Sequence, residues 1–594
     1  MILQSLVDLY DRRAGSPDPA DRPAPIGFES KAIAFVLEID RDGHLVQISD
    51  MRQQDGKRLA GARELVPQGT KKTSGVAANL LWDTAEYVLG CAVELKGKAT
   101  SAERLRQQHA AFRMRIEALP ERAKADDGVR AVRAFLDQLD LDNLSKHPAW
   151  EVIRTTNPTM TFRLTHDAEL VCQRVAVRRA WLDQLSDEVP DGFCLVSGAQ
   201  AAIERVHPSI KGVWGAQTSG ANIVSFNLEA FNSYGKCQGD NAPVGRISAT
   251  KYTTTLNDLL ARDSRQRMQV GDASTVFWAE RRNGFEDDFL LLIGEPQRDD
   301  PTADIERVRS LYQSIHDGRY LREVCGDDRF FVLGLAPNAA RLAVRFWHVD
   351  TVAVFVERFA RWFDDVAIDH APNLPKHVGL NRLLAASAVR GKEENIPPNL
   401  GAEVLRAVVA GTPFPQSWLQ AALRRCRIPK HDERSRRPLP IIPRELAATI
   451  KACLNRRATN QEEKLTVSLD PDNNHVAYRL GRLFAVFERI QEEANPGLNS
   501  TIRDRYFGAA SSNPLAVFPT LNRLKNHHLS KLDSRGRAQN LEKLVGEIVD
   551  GLPGAQPFPA TMGLSDQGRF AVGYYHQRQH SSTYRTHSGP ETTP

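Results

Sequence analysis

Ala32-Ile33-Ala34-Phe35-Val36-Leu37-Glu38-Ile39 and His44-Leu45-Val46-Gln47-Ile48 are two runs rich in β-branched and apolar residues, with Asp40-Arg41-Asp42-Gly43 between them. Asp can hydrogen-bond its own backbone and Gly accepts positive φ, so the stretch predicts a β-hairpin. Upstream, Ile2 to Tyr10 has the spacing of a short helix, and 15–27 is a loop rich in Pro, Gly and Asp. Downstream, Ser101–Leu119 and Gly128–Leu139 repeat apolar residues every three or four positions, as amphipathic helices do. The N-terminal region is therefore mixed.

Further along, Phe193–Val196, Phe330–Leu335 and Leu342–Trp347 read as strands. From about Thr351 the pattern turns helical, through Ala402–Ala410, Trp418–Arg427 and Arg444–Arg456, and again from Ala477 to about Val549. A chain of 594 residues exceeds what one core usually organises. The fold class expected is α+β: mixed α/β N-terminal and central regions with small sheets, then a helical-bundle C-terminal region. The boundaries read as 1–145, 146–350, a basic helical connection at 351–465, a bundle at 466–580 and a mobile polar tail at 581–594.

Hydrophobic residues make up 41% and charged residues 25%, which excludes wholesale disorder. The net charge is only +5, so partners must be sought where cations cluster. Arg424 to Arg457 holds eleven Lys/Arg against three acidic residues, and Arg52 to Lys72 is a second basic stretch; each suits a phosphate backbone. Seven scattered cysteines without a C-x-x-C pair read as buried thiols of a reducing compartment. No signal peptide or long apolar span is present, so a cytoplasmic protein without membrane contact is expected.

Gly97-Lys98-Ala99-Thr100 lacks the upstream glycine of a phosphate cradle and the hydroxyl beside its lysine, and no G-x-S-x-G or H-E-x-x-H occurs. The histidines His527, His528 and His576 have no carboxylate or thiol at metal spacing, and Tyr574-Tyr575 reads as core. No catalytic residue, metal or cofactor is expected. One competing reading is a metal-dependent nuclease using Asp83 with Glu94 and Lys96, against a plain solvated face.

Gly215-Ala216-Gln217-Thr218-Ser219-Gly220-Ala221-Asn222 leads through an expected strand, Ile223–Asn227, into Phe231-Asn232-Ser233-Tyr234-Gly235-Lys236-Cys237-Gln238-Gly239-Asp240-Asn241, with a helix from Ser248 to Leu260. Amides can both donate to and accept from base edges, while Lys suits phosphate. The bland alternative is a polar loop satisfying its own backbone. Gln217 to Leu260, with its string from Ser219 to Val244, resembles the large subunit of the type I-C CRISPR Cascade surveillance complex. Lys71 to Gly90, Leu333 to Arg341, Gly481 to Glu488 and Asp566 to Gln577 extend the resemblance over almost the whole chain.

The resemblance implies a subunit that recognises the protospacer-adjacent motif in duplex DNA and starts R-loop formation. The implied partners are CRISPR RNA, target double-stranded DNA, the Cascade backbone and RNA-processing subunits, small subunits and a recruited helicase-nuclease. Lys71 and Lys72 are then expected on phosphate with Ser74 and Asn79 near bases, and Gln217, Asn222, Asn227, Gln238 and Asn241 as readers or wedges. Trp82 and Val88 are assigned to the apolar face of a helix. The C-terminal block resembles the small subunit, with Arg482, Arg503, Arg505, Arg523, Lys525 and Lys531 as displaced-strand contacts. No Met lies between Met268 and Met562, so a separate product starting near Leu465 or Val467 would need a non-ATG start.

Overall fold

The computed structural model describes all residues except 56–57, 71–74, 96–97, 187–188, 294–309, 312, 324–325, 372–373, 375–377, 429–441, 499 and 588–594. The chain forms two compact units, 1–211 with 219–258, and 212–218 with 259–594. Both fit the α+β class.

In the first unit the expected hairpin forms. Phe35–Ile39 pairs antiparallel with Leu45–Asp50, and Asp40 Oδ1 accepts from the backbone N–H groups of Asp42 and His44 while Gly43 takes φ +86°. The sheet order is Leu45–Asp50, Phe35–Ile39, Thr159–Leu164, Trp82–Thr84. Phe35–Ile39 runs parallel to Thr159–Leu164, which requires a long crossover. The crossover carries the helices Ala102–Glu117 and Asp127–Asp137, whose Phe112 and Phe135 pack against Phe162. Ser101 and Asp126 cap these helices by accepting from backbone N–H groups of their first turns.

The run from Ala32 is not one strand. It divides at Ala34: Phe28–Ile33 pairs with Arg58–Pro67 in a separate three-stranded sheet, and Phe35–Ile39 belongs to the four-stranded one. Trp82 and Val88 are both buried, but Trp82 lies in a strand and only Ala85–Val88 is helical. Phe193–Val196 contributes no more than the two-residue strand Gly192–Phe193, and Ile223–Asn227 forms no strand.

The second unit begins with an antiparallel meander, Arg267–Val270, Ala273–Ala279, Arg329–Asn338 and Arg341–Thr351. Thr351 then caps Val352–Val366, the first of the expected helices. One apolar core runs from Met268 through Trp362, Trp418 and Phe484 to Tyr575, so the C-terminal helices share it with the sheet. The Leu564–His587 helix continues through Ser581, where a mobile tail was expected. It packs along Val476–Ala494, where a Cβ on Gly481 would lie 2.0 Å from the Phe570 carbonyl oxygen and one on Gly573 would lie 2.3 Å from that of Tyr478. Only glycine permits that approach.

Candidate nucleic-acid interface

The polar loop of the first unit is built on its own amides. The Ser233 and Lys236 backbones close a turn (Lys236 N–H to Ser233 carbonyl, 3.0 Å) whose central residues, Tyr234 and Gly235, have φ +52° and +72°. Two consecutive positive φ values are the signature of a type I′ turn, usually made by Asn, Asp and Gly. The next turn, Gln238–Asn241, is a 3₁₀ helix with Gln238 at φ +48°. Asn241 ties the two together: its Nδ2 donates to the carbonyls of Gln238 (3.0 Å) and Lys236 (3.3 Å) and to Asn232 Oδ1 (3.2 Å), and its Oδ1 accepts from Ser233 N–H at 2.9 Å. The loop's base is pinned where Gly239 N–H donates to the Arg205 carbonyl and Glu204 N–H to that of Val244.

Of the expected readers here, Asn227 and Gln238 are exposed, as is Lys236. Asn241 is half-buried and its amide is committed to the loop, so its geometry is that of a brace. Asn222 is buried, with Nδ2 donating to the carbonyls of His207 (2.8 Å) and Pro208 (3.1 Å), beside the isolated bridge between Ile210 and Ala221. It has no face toward a ligand. Gln217 is exposed but belongs to the second unit. The feature that amide-counting passed over is Tyr234, whose ring is 99% exposed at the turn. Its sequence signal was an aromatic directly before Gly in a polar loop.

In the other N-terminal stretch, Lys71, Lys72 and Ser74 lie outside the described residues. Asn79 is buried; its Oδ1 accepts from Thr70 N–H at 2.9 Å and its own N–H donates to Asp83 Oδ2 at 3.0 Å. That ties Asn79 to Thr70 and Asp83 and removes it from contact with bases. Asp83 is buried on backbone N–H groups, whereas Glu94 is exposed and paired with Arg154 at 3.1 Å; Lys96 lies outside the described residues. The nuclease reading gains nothing from that arrangement.

The C-terminal cations separate into two sets. Arg482 is buried, its Nε donating to Gln577 Oε1 and its terminal nitrogen to the Pro471 carbonyl, both at 3.1 Å. Arg503 is buried with its guanidinium donating to the Cys426 carbonyl and lying 5.6 Å from the Phe507 ring centroid. Lys525 is buried beside Glu542. These three are packing residues in this geometry, while Arg505, Arg523 and Lys531 are exposed. The same division corrects the Arg424–Arg457 stretch: 429–441 lies outside the described residues, and Lys451 and Arg456 are buried, donating to backbone carbonyls and, for Arg456, to Asp365.

Cys91, Cys172, Cys194, Cys426 and Cys453 are buried as expected, Cys237 is exposed on the loop, and Cys325 lies outside the described residues. Tyr574, Tyr575 and His576 are buried in the helical core. His576 Nδ1 lies 3.0 Å from the Tyr478 hydroxyl, and burial, helped by nearby Lys451, draws its pKa down to about 3. Among the described residues, no helix is long and apolar enough to cross a membrane.

A family model described as CRISPR-associated protein (Cas_Csd1) matches residues 6–582. No curated protein matches the chain.

Proposed function

The chain belongs to the Cas_Csd1 family of CRISPR-associated proteins and is a Cascade large subunit, and from this we propose that it reads the protospacer-adjacent motif in duplex DNA within a type I-C complex. In this reading the protein contacts a few base pairs and the backbone around them, local melting begins beside the motif, and the CRISPR RNA reads the remaining sequence by pairing. CRISPR RNA, the Cascade backbone and RNA-processing subunits, small subunits and a helicase-nuclease are its partners. The exposed C-terminal cations then follow the displaced strand.

The observation that supports the reading most directly is the 231–241 loop, which is held by its own hydrogen bonds while Lys236 and Gln238 remain exposed. A loop organised before binding loses less conformational freedom on contact, which favours specific recognition. Lys236 suits a phosphate and Gln238 a base edge. The test is equilibrium binding of the assembled complex to duplexes with and without the flanking motif. Gln238→Ala is expected to weaken motif-containing targets by about 1–3 kcal/mol and leave motif-free DNA unchanged. Lys236→Ala is expected to weaken both and flatten the salt dependence. Equal affinity of the unmutated complex for both duplexes would reject motif reading altogether.

A further inference from the structure

We propose that Tyr234 stacks on an unpaired DNA base beside the recognised motif and so holds the duplex open at its first melted step; this rests on the DNA-reading function above. Tyr234 is 99% exposed. Its backbone sits at φ +52°, where a side chain with a Cβ is held at a cost of about 1–2 kcal/mol. Asn, Asp or Gly would make the same turn with less strain, so the ring is not there for the turn. Nor is it there for the core, since its neighbours Ser233, Gly235 and Lys236 are exposed as well.

What the fold does supply is a rigid mount. The turn is closed by the Lys236-to-Ser233 hydrogen bond, and Asn241 fixes Ser233, Lys236 and Gln238 from behind. Tyr has few rotatable bonds, so a ring on such a mount presents a flat apolar face at little entropic cost. Every base offers a complementary π-face, which makes stacking strong and tolerant of sequence. Lys236, two residues on, supplies a cation for the adjoining phosphate. Asp240, the nearest acidic residue after it, faces Arg205 at 3.8 Å. A protein partner is the less suited occupant, because anchor residues of protein interfaces sit within packed apolar surroundings and the flanks of Tyr234 are polar.

The experiment uses the assembled complex with its CRISPR RNA and three motif-bearing targets, fully paired, mismatched in the first base pairs beside the motif, and lacking complementarity to the guide, together with the fully paired target without the motif. Three variants are compared. Tyr234→Gly keeps a residue suited to positive φ and removes the ring; Tyr234→Phe keeps the ring and removes the hydroxyl; Gln238→Ala reports motif reading. Tyr234→Gly is expected to slow R-loop formation on the paired target by about ten- to a hundredfold and to recover on the mismatched one. Tyr234→Phe should behave as the unmutated protein, and binding to the non-complementary target should change little with either. Equal slowing on paired and mismatched targets, or no slowing, would overturn the stacking role. So would failure of Tyr234→Gly to join the complex, which would make the ring a protein anchor. If the unmutated complex ignores the motif, the failure lies with the DNA-reading function and not with Tyr234.

Discussion

At residues 231–241 one amide side chain holds a solvent-facing turn, whereas between the Val476–Ala494 and Leu564–His587 helices polar groups sit inside a close, buried contact. The chemistry is similar: Asn241 donates to backbone carbonyls in the first, and Arg482 donates to Gln577 and a backbone carbonyl in the second. The surroundings differ. Water can replace a lost partner at the loop, so the net worth of each hydrogen bond there is about 1 kcal/mol. In the helix pair a lost partner leaves a buried donor or acceptor unsatisfied, and the backbones are too close to admit water or a larger side chain. The loop is therefore a place where changes alter recognition, and the helix pair one where they alter folding.

The largest effect should come from closing the gap between the helices. Gly481→Ala introduces a Cβ where the Phe570 carbonyl oxygen lies 2.0 Å away, a backbone atom that cannot move without shifting the helix. A loss of about 3 kcal/mol or more in unfolding free energy is expected, at or above the upper end of the usual overpacking range. Gly546→Ala, with nothing within 4 Å of its Cβ in the Arg535–Asp550 helix, is the control and should gain up to about 1 kcal/mol. Chemical denaturation followed by circular dichroism reads both. Similar outcomes for the two glycines would show that the helices are not locked as described.

Next in size is a pH effect confined to the same contact. The folded pKa of His576 lies near 3 and its unfolded value near 6.5, so the unfolded chain binds the proton more readily across that window. Stability is then fully present above about 6.5 and falls as pH drops toward 3, with a slope of at most about 1.4 kcal/mol per pH unit from this group. His576→Gln retains a polar partner for the Tyr478 hydroxyl and should flatten the dependence between pH 7 and 5, whatever it does to absolute stability. An unchanged slope in that variant would remove His576 from the acid response.

How far these two regions were legible in the sequence follows from the same physics. The Asp40–Gly43 turn was readable because Asx and glycine geometry is local, and the strands after Phe330 and the helices after Thr351 because their apolar periods are long. The exchange of sheets at Ala34 was not readable, since strand partners are chosen by tertiary packing. Amides at 79, 222 and 241 look identical in a sequence whether they meet a base or their own backbone, and only the fold shows which. Arg482 had a usable signal: it lies in Ala477–Phe487, where apolar residues fall on nearly every side of a helix, and the fold buries every position from Ala477 to Glu488. A helix covered all round has no solvent face on which a phosphate contact can sit.

At the loop, Asn241→Ala is expected to cost about 1 kcal/mol in binding and to do so for more than one contact at once, because Asn241 positions Ser233, Lys236 and Gln238 together. The loss should therefore appear as a reduced affinity for motif-containing DNA together with a slower R-loop on paired targets, combining the signatures of Gln238→Ala and Tyr234→Gly. A double-mutant cycle with Gln238→Ala distinguishes a brace from an independent reader: coupling is expected, and strict additivity would restore Asn241 to the list of direct base contacts.

The smallest effect on folding, and the sharpest division between the two sets of C-terminal cations, should come from replacing Arg505, Arg523 and Lys531 with alanine. All three are exposed, so each change should alter stability by no more than about 0.5 kcal/mol. If they follow the displaced strand, each phosphate contact removed should lower the slope of log affinity against log salt by about 0.7, the value for single strands. Arg482→Ala is the counterpart: it removes the buried guanidinium that donates to Gln577 Oε1 and to the carbonyl of Pro471, leaves a gap in the packed helix pair, and should destabilise the second unit without changing the salt slope of whatever complex still assembles. A salt slope that responds to Arg482 and not to the exposed three would mean that this face opens on assembly, and that cations buried in the isolated chain become strand contacts in the complex.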